Sequence, residues 1–138
     1  MAEDLHKPTV RPLSPFVTIF RWPVTMATSI VHRATGVGLA GGLLVLVWWL
    51  IAASNGPEAY GFFLDIAETT IGQLCLFGFT WALAYHAVNG IRHLAWDLGY
   101  GFQVKTADLT GILVFVLSFL IAIGVFVIAY SGHGGYYQ

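Results

Sequence analysis

His86, Gly90, His93 and Asp97 follow one another at intervals of four, three and four residues, so a 3.6-residue helix carries all four on one face. The first two lie at the end of a run, Thr69 to Ile91, that contains no Asp, Glu, Lys or Arg and is long enough to cross a bilayer, and the other two follow it. An imidazole at membrane depth is expensive and by default functional or paired. Two chemistries suit His86. One is a hydrogen bond between helices, worth about 0.6 kcal/mol on average in a membrane. The other is axial ligation of a metalloporphyrin, for which a neutral imidazole is a good donor and Gly90 clears space on the same face.

A second polar cluster lies in "SIVHRATG", Ser29 to Gly36. Arg33 and His32 can reach lipid headgroups from a helix end, or pair with porphyrin propionates. The Ser29 hydroxyl, one turn before Arg33, can donate to a quinone carbonyl. Arg92 and Asp97, five residues apart, are candidates for an ion pair, although that spacing is not the best one on a helix. Counting 1.5 Å per residue, His86 lies roughly 16 Å from Asp97 and close to mid-membrane, with His93 nearer the surface. The two are separated by roughly 10 Å along one axis and on one side, so they cannot ligate opposite faces of one iron. His32, at the mouth of the first span, reads as too shallow to meet His86. A haem on His86 therefore calls for a second ligand from another polypeptide.

The elements that must position these residues account for most of the chain. Of 138 residues, 57% are hydrophobic and 9% charged, and the mean hydropathy is +0.75. A soluble domain carries roughly 25% charge. Three stretches free of Asp, Glu, Lys and Arg can span: Ala34 to Ala53, Thr69 to Ile91 and Leu109 to Tyr130. The expected fold is an all-α membrane protein of three transmembrane helices behind a short N-terminal segment. Residues 1–28 form a cytoplasmic arm and interfacial segment, with a chain break at or before Trp22 because Pro23 follows it. Residues 29–138 form the anchor domain. "SNGPEAYGFFLD" reads as a loop, Asp108 as the N-cap of the third helix, and Gly36 with Ala40 and Gly38 with Gly42 as close-packing pairs.

The opening residues are acidic and Pro-punctuated, unlike a signal peptide, and lack the Arg- and Ser-rich character of a transit peptide, which points to bacteria. Lys7, Arg11, Arg21 and Arg33 precede or open the first span, and Arg92 and Lys105 lie between the second and third. By the positive-inside rule the N-terminus is cytoplasmic and the C-terminus periplasmic in a bacterial inner membrane. Trp48 and Trp49 would mark the outer interface, Trp96 and Tyr100 the inner one. The single cysteine, Cys75, excludes an intrachain disulfide and a Cys-based cluster, leaving histidine as the metal ligand. A net charge of −1 without a basic patch gives no nucleic-acid role.

The stretches "RPLSPFVTIFRWPVTMATSIVHRATG" and "HAVNGIRHLAWD" carry the signatures S-x-x-H-R-x-[ST]-G and H-x-x-x-G-[IL]-R-H-x-x-x-D. With three spans at matching places, the sequence resembles the cytochrome b membrane-anchor subunits of succinate dehydrogenase over nearly its whole length. The resemblance implies that His86 is the axial ligand of one haem b, opposite a histidine of a second membrane-anchor subunit. It implies that Ser29 and Arg33 belong to a ubiquinone pocket, and that His32 and Arg33 lie near the haem propionates. His93 would stand on the propionate side. An iron–sulfur subunit and a flavoprotein subunit would complete the complex. The alternatives are a fumarate reductase anchor of the same fold and a haem-free membrane assembly or transport subunit. A dihaem cytochrome b would need four axial histidines, which the spans lack.

Overall fold

The computed structural model describes residues 16–133, so the arm with Lys7 and Arg11 and the final residues of the C-terminal tail lie outside the described residues. Five helices follow in order: α1 Phe16–Ile19, α2 Val24–Ser54, α3 Pro57–Ala67, α4 Thr70–Asp97 and α5 Val104–His133. Among the described residues there is no strand. α2, α4 and α5 are long and apolar enough to cross a membrane. The break expected near Trp22 is present: α1 stops at Ile19, and Pro23 starts α2 with an extended backbone. Its φ suits the position before a first helical turn, where a missing N–H costs nothing.

The helices run further than their apolar cores. α2 begins ten residues before Ala34 and, with 31 residues, is about 46 Å long, well beyond a hydrocarbon core of roughly 30 Å. α5 begins at Val104, so Asp108 lies inside its first turns and is not the N-cap. The stretch read as a loop between the first two spans contains α3. Pro57 occupies its first turn after Gly56, whose φ of 101° only glycine adopts easily. Phe63 is buried there, with its ring 4.8 Å from that of Trp48 in an edge-to-face contact.

α4 is the central helix, touching α2, α3 and α5. Thr69 caps its start by accepting from the Gly72 amide at 3.0 Å. Gly72 must be small, since a Cβ there would come within 2.3 Å of the Ile66 carbonyl oxygen. Its end is a Schellman turn: Gly99, at φ 88°, donates to the Trp96 carbonyl (2.8 Å), and Tyr100 donates to that of Ala95 (3.0 Å). α5 follows in the antiparallel direction. It buries Ala107, Gly111, Val114, Ser118 and Ala122, a small-residue face with heptad-like spacing. Into that face α4 packs Phe77, Trp81 and Tyr85, in ring contact with Phe119, Phe126 and Phe115.

Candidate functional site

α2 and α4 cross antiparallel, with Gly42 against Phe79, Gly36 against His86 and Thr28 against Arg92. This register decides the depth of His32. From Val24, His32 lies about 12 Å along α2, and from Asp97, His86 lies about 16 Å along α4. The two therefore meet. Their ring centroids are 3.9 Å apart and the planes 11° off parallel. The expectation that His32 is too shallow fails because α2 starts ten residues earlier than its apolar stretch. His93 approaches the same ring at 5.3 Å, so the three histidines form one cluster between the two helices.

Each imidazole is held differently. Nδ1 of His86 lies 3.4 Å from Oγ1 of Thr35, a buried side chain that itself donates to the His32 carbonyl at 2.9 Å. A Cβ on Gly36 would come within 3.2 Å of Cε1 of His86, so the glycine that makes room for this ring is Gly36 on α2. A Cβ on Gly90 would meet nothing beyond its own helix within 4 Å among the described residues. His93 rests edge-on against Trp96 at 5.1 Å. Nδ1 of His32 is buried without a hydrogen-bond partner among the described residues.

Beside this cluster lies a polar seam. Arg92, 7% exposed, donates Nε to Thr110 (3.0 Å), Nη1 to Thr28 (3.2 Å) and Asn89 (3.3 Å), and Nη2 to the Ala107 carbonyl (2.7 Å). Its guanidinium sits 4.1 Å from the Trp96 ring centroid, within cation–π range. Tyr85 donates its hydroxyl to the Thr28 carbonyl at 3.0 Å. Arg92 is thus a tie between α2, α4 and α5 and not the partner of Asp97, which is exposed. Gly111 gives the tie its room: a Cβ there would come within 2.9 Å of Val24 and 3.2 Å of Thr28.

Of the other expected residues, Ser29 lines a cavity of about 350 Å³ with Thr25, Met26, Thr28, Arg92, His93 and Trp96. Arg33, one turn on, is exposed and does not line it. Sequence reasoning missed Thr28, Thr35, Tyr85 and Thr110. A signal was present: Thr28, His32 and Thr35 are spaced i, i+4, i+7, as are Tyr85, Asn89 and Arg92, giving two polar stripes that could meet.

The arrangement limits what could bind. Among the described residues no three His, Cys, Asp or Glu side chains converge on a metal position, and stacked rings offer each other faces, not lone pairs. A bare ion therefore does not fit. A metal that brings its own equatorial ligands and takes a single imidazole does fit, because His86 is braced at Nδ1 and its Nε2 has no partner among the described residues. The buried, unpartnered Nδ1 of His32 adds a polar atom in search of a contact nearby.

The family described as succinate dehydrogenase/fumarate reductase transmembrane subunit matches residues 7–125. The chain is 42% identical over 111 residues to the succinate dehydrogenase cytochrome b556 subunit of Rickettsia prowazekii (strain Madrid E), covering 80% of this chain and 86% of that relative. It is 40% identical over 97 residues to the subunit of the same name in Paracoccus denitrificans, covering 70% and 75%. To the mitochondrial succinate dehydrogenase cytochrome b560 subunit of Sus scrofa it is 37% identical over 119 residues, covering 83% and 69%.

Proposed function

This chain belongs to the succinate dehydrogenase/fumarate reductase transmembrane subunit family, and we propose that it holds one haem b through His86 and contributes Ser29 and Arg33 to the site of ubiquinone reduction. As a family member it is the membrane anchor of a succinate:quinone oxidoreductase, embedded by its three apolar helices and bound to the catalytic subunits. Those subunits oxidise succinate to fumarate, releasing two electrons and two protons. Ubiquinone takes up two of each to become the quinol.

The observation that carries the haem assignment is the bracing of His86 by Thr35 and by the His32 stack, which fixes the ring while Nε2 has no partner among the described residues. Haem bound there would supply a one-electron store. His32 and His93, clustered on the same side, are the donors for its propionates. His86 would be this chain's one ligand to the haem, and a second anchor subunit would supply the other. At the quinone, Ser29 donates a hydrogen bond from the rim of its cavity, and Arg33 stabilises the negative charge that builds on the quinone oxygens during reduction.

The orientation reading draws support from the packing. Contacts of Thr28 with Arg92 and of Arg92 with Ala107 bring the start of α2, the end of α4 and the start of α5 to one end, so that Arg21, Arg33, Arg92 and Lys105 gather there. That end is the cytoplasmic face of a bacterial inner membrane, with the C-terminus periplasmic. The test is a reduced-minus-oxidised visible spectrum of the purified complex. A low-spin b-type signal is expected in the parent and should be lost in His86→Ala; its absence from the parent, or persistence in the variant, defeats the ligand assignment.

A further inference from the structure

The Thr35 hydroxyl has a carbonyl within reach of its proton. Thr35 is buried on α2 and donates to the His32 carbonyl at 2.9 Å, the ordinary back-bond of a helical threonine to the residue three before it. A hydroxyl has one proton to give. With its proton on that carbonyl, the same oxygen turns a lone pair toward Nδ1 of His86, 3.4 Å away. The imidazole partner must carry its proton on Nδ1, and the lone pair is then left on Nε2.

We infer that Thr35 is a positioning residue that selects the Nδ1–H tautomer of His86 and, with Gly36 and His32, fixes the rotation of its ring. Three sides of the ring are defined within the chain. Thr35 holds the Nδ1 edge, the His32 ring covers one face at 3.9 Å, and Gly36 allows Cε1 to sit where any β-carbon would lie at 3.2 Å. This inference rests on the reading of His86 as a haem ligand and adds what makes that ring a competent one. An acceptor on the far nitrogen does more than orient the ring. It increases the basicity of Nε2, which favours the ferric over the ferrous state and lowers the reduction potential. The hydrogen bond joins residues 51 positions apart, so the device exists only once α2 and α4 have docked.

The experiment is a redox titration of the haem in the detergent-purified complex, with haem retention measured after dilution, for the parent and for Thr35→Val, Thr35→Ser and His86→Ala. Val keeps the shape and loses the acceptor; Ser keeps the hydroxyl. The expected result is a midpoint potential shifted upward in Thr35→Val and haem retention weakened by about tenfold, the usual scale for losing a ligand's outer hydrogen bond, with both restored in Thr35→Ser. If the parent signal is present and vanishes in His86→Ala, yet Thr35→Val keeps the parent potential, the ligand reading stands and the tautomer inference is overturned. If Thr35→Ser shifts as far as Thr35→Val, packing and not the hydroxyl is responsible, and the inference is again overturned. Should Thr35→Val fail to assemble, the comparison is made between Thr35→Ala and Thr35→Ser with the same two outcomes. A parent without a b-type signal removes the haem reading and this inference with it.

Discussion

Arg92 shows how a single residue type can mislead by its charge. At a helix end next to Asp97 it suggests a surface pair, yet its side chain runs inward and makes three interhelical hydrogen bonds and one within α4. At roughly 0.6 kcal/mol for each such bond in a membrane protein, the set contributes on the order of 2 kcal/mol. Removing the donor also leaves the buried Asn89 carbonyl oxygen without its Arg92 donor. Arg92→Met should therefore lower the thermal midpoint of the detergent-solubilised complex clearly. Lysine, a point charge without the planar fork, should recover only part of the loss. Asp97→Asn should leave the midpoint unchanged, because Asp97 is exposed; a loss there equal to that of Arg92→Met would restore the ion-pair reading.

Among the elements, α2 is the one whose small residues have distinct uses. Gly36 admits His86 and Gly42 admits Phe79, while a Cβ at Gly38 or Gly41 would meet nothing beyond its own helix within 4 Å among the described residues. The two members of each expected close-packing pair are thus not equivalent: one receives an α4 side chain, and backbone-on-backbone contact is not their shared role. A Cβ at position 42 would stand 1.9 Å from Cε2 of Phe79. Overpacking of this kind typically costs 1–3 kcal/mol, so Gly42→Ala is expected to destabilise the complex by about 2 kcal/mol. Adding Phe79→Leu should return part of that stability. Recovery in the double variant, read from melting curves, identifies the aromatic ring as the obstacle; its absence would place the strain elsewhere.

For the whole molecule, the division of labour between this anchor and its catalytic partners yields a separable readout. Arg33 is exposed and holds no helix to another in the described contacts, so Arg33→Leu should preserve assembly. Quinone reduction is expected to fall on the order of 100-fold, the scale for losing one group that stabilises developing oxyanion charge. Succinate oxidation with a soluble dye should continue at the parent rate. Equal loss of both activities would mean failed assembly and would remove Arg33 from the quinone site.

Length, apolar runs and punctuation by proline and glycine are local properties, and the sequence by itself determined what depends on them. The three spans, the break before Pro23 and the shared face of His86 and His93 are all of this kind. Local reasoning underestimated the ends. Thr25 to Arg33 and Val104 to Asp108 are helical although too polar to count as lipid-spanning, because a helix continues past the hydrocarbon boundary wherever packing supports it. The α3 helix was missed for a related reason: eleven residues with Phe63 against Trp48 acquire their stability from a contact outside the segment. Only the tertiary structure decided which residues meet across helices. The stack of His32 on His86, the Thr35 contact and the inward turn of Arg92 all follow from the axial register of α2 against α4. That register is set jointly by Gly42 with Phe79, Gly36 with His86 and Thr28 with Arg92, pairs far apart in the chain. A sliding window along one helix has no access to the depth at which another helix passes it.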